Sequence, residues 1–172
     1  MRFFNEKPWL IPLIGGFFAL VSIFAPVTTW NSLGSFAIQW MFQLGLRLEP
    51  YIEFSLWRWD PGLLSLSIAL SVIIFVCAIT LITSIVIYKR ISMSYQKLKN
   101  YWILLATLIA LSTLGWIIMI ELHYNAFGDS HWLSYLTNWQ GYSPSFGVIV
   151  PFIGSGLIIF SSSLVKGTEK RD

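Results

Sequence analysis

The chain has 172 residues, of which 56% are hydrophobic and only 11% charged, with a single Cys and a mean hydropathy of +0.69. That balance excludes an ordinary water-soluble domain and indicates a membrane protein. The length corresponds to one domain of about 150 residues and leaves no room for a separate soluble catalytic module.

In chain order, four apolar runs read as membrane spans, at about 9–29, 63–88, 101–120 and 146–165. Each is close to the roughly 20 residues needed to cross about 30 Å of hydrocarbon as a helix. The first run is kept as a span rather than a cleaved signal peptide, because Ala25-Pro26 is a poor cleavage context. The second is the longest and should tilt or protrude. The net charge of +3 hides an asymmetry. Arg2, Lys7, Lys89, Arg90, Lys97, Lys99, Lys166, Lys170 and Arg171 fall on one side of the spans, and only Arg47 and Arg58 on the other. The positive-inside rule then predicts a multi-pass protein of the cell membrane with both termini cytoplasmic, an inner loop at 89–100 and outer segments at 30–62 and 121–145. The basic residues lie beside the membrane and suit lipid headgroups rather than nucleic acid.

Small residues four apart supply packing faces, which matter because lipid-exposed helices gain little from hydrophobicity itself. Gly15 and Ala19 mark such a face in the first span, Ser67 and Ser71 in the second, Ala106 and Ala110 in the third, and Gly154 in the fourth. Pro8-Trp9, Tyr101 and Trp102 are expected at the inner headgroup layer, and Trp30 and Trp59 at the outer one. The predicted fold class is an all-α transmembrane, antiparallel four-helix bundle, with an extracellular β-hairpin or small sheet formed by the first outer loop.

The hairpin expectation rests on alternation. Apolar residues recur at Phe36, Ile38, Trp40, Phe42, Leu44, Leu46 and Leu48, and again at Ile52, Phe54 and Leu56. A turn at Glu49-Pro50-Tyr51 would set Leu48 against Ile52, Leu46 against Phe54, Leu44 against Leu56 and Arg47 against Glu53. An interfacial helix over the first run is the less economical alternative. The second outer segment is strongly aromatic. Trp40, Trp57, Trp59, Trp132, Tyr135 and Trp139 are the candidate partner-binding residues, because aromatic side chains bury area with few rotors to freeze.

Chemistry is sparse. None of the four runs holds a charge between its ends, which disfavours proton-coupled transport. The lone Cys77 provides neither a disulfide nor paired-thiol redox chemistry. Glu121, His123, Asp129 and His131 form an E-x-H and D-x-H pair of the right types for a transition metal, although the spacing matches no metal motif. No catalytic residue, cofactor or metal is predicted. The leading expectation is a non-enzymatic protein acting through its outer aromatic surface, by self-association or as an accessory subunit. The alternatives are a metal-binding or enzymatic protein using the Glu/His/Asp cluster, and a binder or transporter of lipid or another small hydrophobic ligand.

The layout of four spans, inner termini and a longer first outer segment, with Trp30 followed by Leu56-Trp57, resembles the claudin-like tetraspan superfamily. Two Cys that follow the second Trp in claudins have no counterpart here. The resemblance implies adhesion, channel-lining or accessory-subunit behaviour, with the outer sheet as recognition surface and no catalysis. The opening Lys7-Pro8-Trp9-Leu10 with Gly15-Gly16 is also similar to small prokaryotic four-span proteins.

Overall fold

The computed structural model describes residues 9–32, 35–41, 44–49, 51–56, 61–90, 95–126 and 142–164. Its body is four helices: α1 (Leu10–Phe24), α2 (Pro61–Arg90), α3 (Tyr95–Ala126) and α4 (Phe146–Leu164). Three contain segments long and apolar enough to cross a membrane, Leu64–Arg90, Leu98–Met119 and Phe146–Ser163. The protein is therefore a membrane protein built on apolar helices. The remaining helix, α1, is apolar but has only 15 residues, about 22 Å against roughly 30 Å of hydrocarbon.

Several boundaries differ from those expected. The first helix does not run on to Thr29. Ala25 leaves it with ψ 147°, the extended conformation favoured before proline, and the β-branched Val27-Thr28-Thr29 continues as strand β1 (Pro26–Ser32). The connection at 89–100 is mostly helix, since α2 reaches Arg90 and α3 begins at Tyr95. Pro61 opens α2 at a position where its missing N–H removes no helical bond. At its far end α3 extends to Ala126, so Glu121 and His123 belong to the helix rather than to a loop.

Cross-contacts give the helix directions. Ser84 of α2 meets Trp102 of α3 while Ser67 meets Trp116, so these two helices are antiparallel. Trp9, just before α1, meets Lys89 near the end of α2, and Gly16 lies against Leu81. Gly15 touches Gly154, while Gly147 lies against Ala25, so α1 and α4 are antiparallel as well. With α3 also packed on α4, the helices form a ring in the order α1, α2, α3, α4.

The core contains Ala19, Ile74, Leu81, Ile85, Ala106, Ile109 and Ile158. Among the described residues the buried polar side chains, Ser22, Ser67, Ser71, Ser112, Thr113, Ser155, Ser161 and Ser162, are all hydroxyls. Ser22, Ser71, Thr113 and Ser161 donate to carbonyls three or four residues back in their own helices, as in Thr113 to Ile109 at 2.9 Å, which satisfies the group without a second helix. Exposed apolar side chains such as Phe17, Val72, Leu111 and Phe160 suit a hydrocarbon solvent.

One end of the bundle carries a five-stranded antiparallel sheet in the order β4-β3-β2-β1-β5. The added strands are β2 (Ser35–Trp40), β3 (Leu44–Glu49), β4 (Tyr51–Leu56) and β5 (Tyr142–Pro144). The alternating run from Phe36 to Leu48 is thus two strands, not one. Phe36 pairs with Leu48 and Ile38 with Leu46. Next to it, Leu48 pairs with Ile52, Arg47 with Glu53, Leu46 with Phe54 and Leu44 with Leu56. β5 pairs with β1 through Thr28 and Pro144, which ties the start of α4 to the end of α1.

Candidate interaction surface at the sheet end

The sheet is fastened to the bundle through backbone carbonyls. Met41, between β2 and β3, is fully buried. Its carbonyl accepts the Ser67 hydroxyl at 2.5 Å and the Trp116 indole N–H at 2.9 Å. The same indole N–H lies 2.9 Å from Ser67 Oγ. A loop carbonyl, a hydroxyl from α2 and an indole from α3 therefore close a triangle in which the buried polar atoms are mutually satisfied. Ser71 extends it one turn down α2, donating to the Ser67 carbonyl at 2.9 Å.

This depth is notable for irregular backbone. Ser67 lies three residues inside the membrane-length segment of α2, and Trp116 three residues from the end of that of α3. A chain turn is tolerated at such depth only where protein groups satisfy it. Hydrogen bonds in this low-dielectric setting are expensive to break singly, because a desolvated partner is left behind.

Two further contacts hold the sheet. The Trp40 N–H donates to the Phe24 carbonyl at 2.9 Å, meeting one of the orphan acceptors at the end of α1. Ser145 N–H donates to the Val27 carbonyl at 2.9 Å, and Val27 is fully buried. A Cβ on Gly147 would come within 2.6 Å of the Ala25 carbonyl and 2.8 Å of that of Pro26. Only glycine admits the α4 backbone so close to the start of β1.

Of the candidate partner-binding residues, Trp40 is half-buried with its N–H engaged inside the subunit. Trp57, Trp59, Trp132, Tyr135 and Trp139 lie outside the described residues, as do Asp129 and His131. Glu121 and His123 occupy positions two apart on α3, about 200° around the helix, so their positions do not share a face. Among the described residues no three His, Cys, Asp or Glu groups gather as a metal site would require.

The packing residues are better described. A Cβ on Gly15 would meet the Gly154 carbonyl at 2.6 Å, and the converse contact has the same distance. Ala19 and Ala106 are fully buried, and Ala110 half-buried. Ser67 and Ser71 lie in the interior, engaged through hydrogen bonds rather than as mere small residues. Trp102 is fully buried, its N–H on Ser84 Oγ at 2.8 Å. Neither Met41 nor Trp116 stands out in the sequence as a site residue. The acceptor on Met41 is backbone and leaves no signature, whereas a Trp within a span signals an indole N–H in need of a partner.

β4 is the last strand of the sheet, and among the described residues nothing pairs with its outer edge. The chain matches no protein-family model and no curated protein sequence.

Proposed function

We propose that the protein is a non-enzymatic, four-segment membrane protein that associates with a second copy of itself through its sheet, which faces outside, with both termini inside. The observation that carries the reading is β4, a six-residue edge strand on a sheet that is hydrogen-bonded into the bundle. An unpaired strand edge is a template for another strand.

The sequence of β4 favours a particular self-pairing. An antiparallel two-fold centred on Phe54 places Ile52 opposite Leu56 of the second copy and Glu53 opposite Ser55, keeping apolar positions on one face. Centring it on Glu53 would set two carboxylates opposite each other, and a one-residue shift would exchange the faces. The resemblance to claudin-like tetraspan proteins supports the same class of behaviour.

Strand β1 supports counting α1 as the fourth membrane segment. About two or three of its extended residues, at roughly 3.3 Å each, supply the missing length of about 8 Å. Pro26 pairs with β2, the Val27 carbonyl accepts the Ser145 N–H, and Thr28 pairs with both β2 and β5, which makes extended chain tolerable at that depth. The excess of Lys and Arg away from the sheet supports the orientation.

The test is crosslinking in the native membrane, followed by mild-detergent extraction and mass spectrometry, on the wild type and a Ser55→Glu variant, which sets a carboxylate opposite Glu53 across the pair. A defined homo-oligomer that weakens in the variant is expected. A monomer in both, or capture of a different protein alone, would overturn self-association.

A further inference from the structure

At the end opposite the sheet, three helix termini converge. Lys89 Nζ lies 4.8 Å from the centroid of the Trp9 ring, joining the last turn of α2 to the start of α1. One residue earlier, Tyr88 meets Trp102 of α3 edge-on, with centroids 5.8 Å apart and planes at 87°. The Trp102 N–H is fastened to Ser84 in turn. The cations at this end therefore stand on a packed aromatic base.

Its charge is one-sided. From position 89 to 99 the chain carries Lys89, Arg90, Lys97 and Lys99 without a carboxylate. Lys89 and Arg90 are exposed and Lys99 half-buried. The membrane-length segment of α2 stops at Arg90 and that of α3 starts at Leu98, which places these cations where hydrocarbon gives way to headgroups. One turn before Lys89 on the same side of α2, Val86 is an exposed apolar side chain. A phosphate above and acyl chains below would meet matching surfaces on one seam.

We propose that the α1–α2 seam at this end is a binding site for an anionic phospholipid. Lys89 and Arg90 hold the headgroup phosphate, and the Trp9 ring facing Lys89 Nζ keeps that side chain in place, so that less rotamer freedom is lost on binding. The site needs neither the outward orientation of the sheet nor self-association, and stands without them.

The experiment reconstitutes the full chain in nanodiscs of phosphatidylcholine doped with phosphatidylglycerol and quantifies, by mass spectrometry, the lipid retained after mild-detergent extraction. Phosphatidylglycerol should be retained several-fold above its bulk share. Lys89→Gln with Arg90→Gln should lower that enrichment by about fivefold per cation removed. Lys166→Gln with Lys170→Gln, which removes as much charge elsewhere, should leave most of it. Retention in proportion to the bulk mixture would overturn the proposal, as would equal losses in the two double variants. Free inorganic phosphate should not displace the retained lipid. Complete displacement would show a site that reads phosphate alone and would equally overturn it.

Discussion

Trp116 illustrates how one side chain fastens a sheet to a bundle. Its N–H reaches both the Met41 carbonyl and Ser67 Oγ at 2.9 Å, in a fully buried position. Trp116→Phe should lower stability by about 1–3 kcal/mol, from the lost donor and the smaller ring. Ser67→Ala should cost about 1 kcal/mol or more, because the Met41 carbonyl then keeps a single donor. The two losses should be non-additive, with a coupling of about 0.5–3 kcal/mol in a double-mutant cycle followed by detergent-induced unfolding. Independent, additive losses would mean that the triangle does not act as a unit. At this scale the sequence is only partly legible. Gly15 and Gly154 can be picked out as small residues on helix faces, but which glycine meets which is decided by helix order and rotation. Trp102 has the chemical character of a headgroup-layer residue, and only the placement of Ser84 and Tyr88 turns it inward.

The sharpest contrast between helices is between two glycines of α4. A Cβ at Gly154 would lie 2.6 Å from the Gly15 carbonyl, whereas one at Gly156 meets nothing within 4 Å. Gly15→Ala or Gly154→Ala should force α1 and α4 apart and cost about 1–3 kcal/mol. Gly156→Ala should leave stability unchanged or raise it by under about 1 kcal/mol, since alanine is the better helix former. Equal effects at the two positions, read from the same unfolding titration, would contradict a backbone-to-backbone α1–α4 contact. Element boundaries are less legible than element existence. Hydropathy counts Val27 as apolar whether it ends a helix or begins a strand, and the informative signal is Pro26 ahead of a β-branched run. The 36–48 alternation reads as one strand for a related reason. Phe36 opposite Leu48 and Ile38 opposite Leu46 share the same parity, so the alternation continues unbroken through the turn and gives no sign of it. The register of 44–56 is legible, because Pro50 marks a turn and only one pairing matches apolar to apolar while opposing Arg47 to Glu53.

For the molecule as a whole, composition alone indicates a membrane protein, and the three helices of spanning length agree. What composition does not reveal is how the short α1 and the sheet share one boundary. The sheet grows directly from the ends of α1 and α4, and Met41, directly after β2, is bonded to both α2 and α3. Weakening the Met41 triangle should therefore loosen the sheet's attachment before it unfolds the helices. In Trp116→Phe, amide exchange across β2 and β3 should rise while that of α4 stays near the wild-type level. Uniform exchange across sheet and helices would mean that the two are a single cooperative unit.

Association through β4 is tested most directly by a cysteine at the centre of the proposed two-fold. Phe54→Cys in a Cys77→Ala background leaves one thiol, at the position that faces itself across the pair. Mild oxidation in the native membrane should give a disulfide-linked dimer, and Gly62→Cys, outside the strand, should not. A Phe54→Cys chain that remains monomeric while its fold is intact would contradict self-association through this edge.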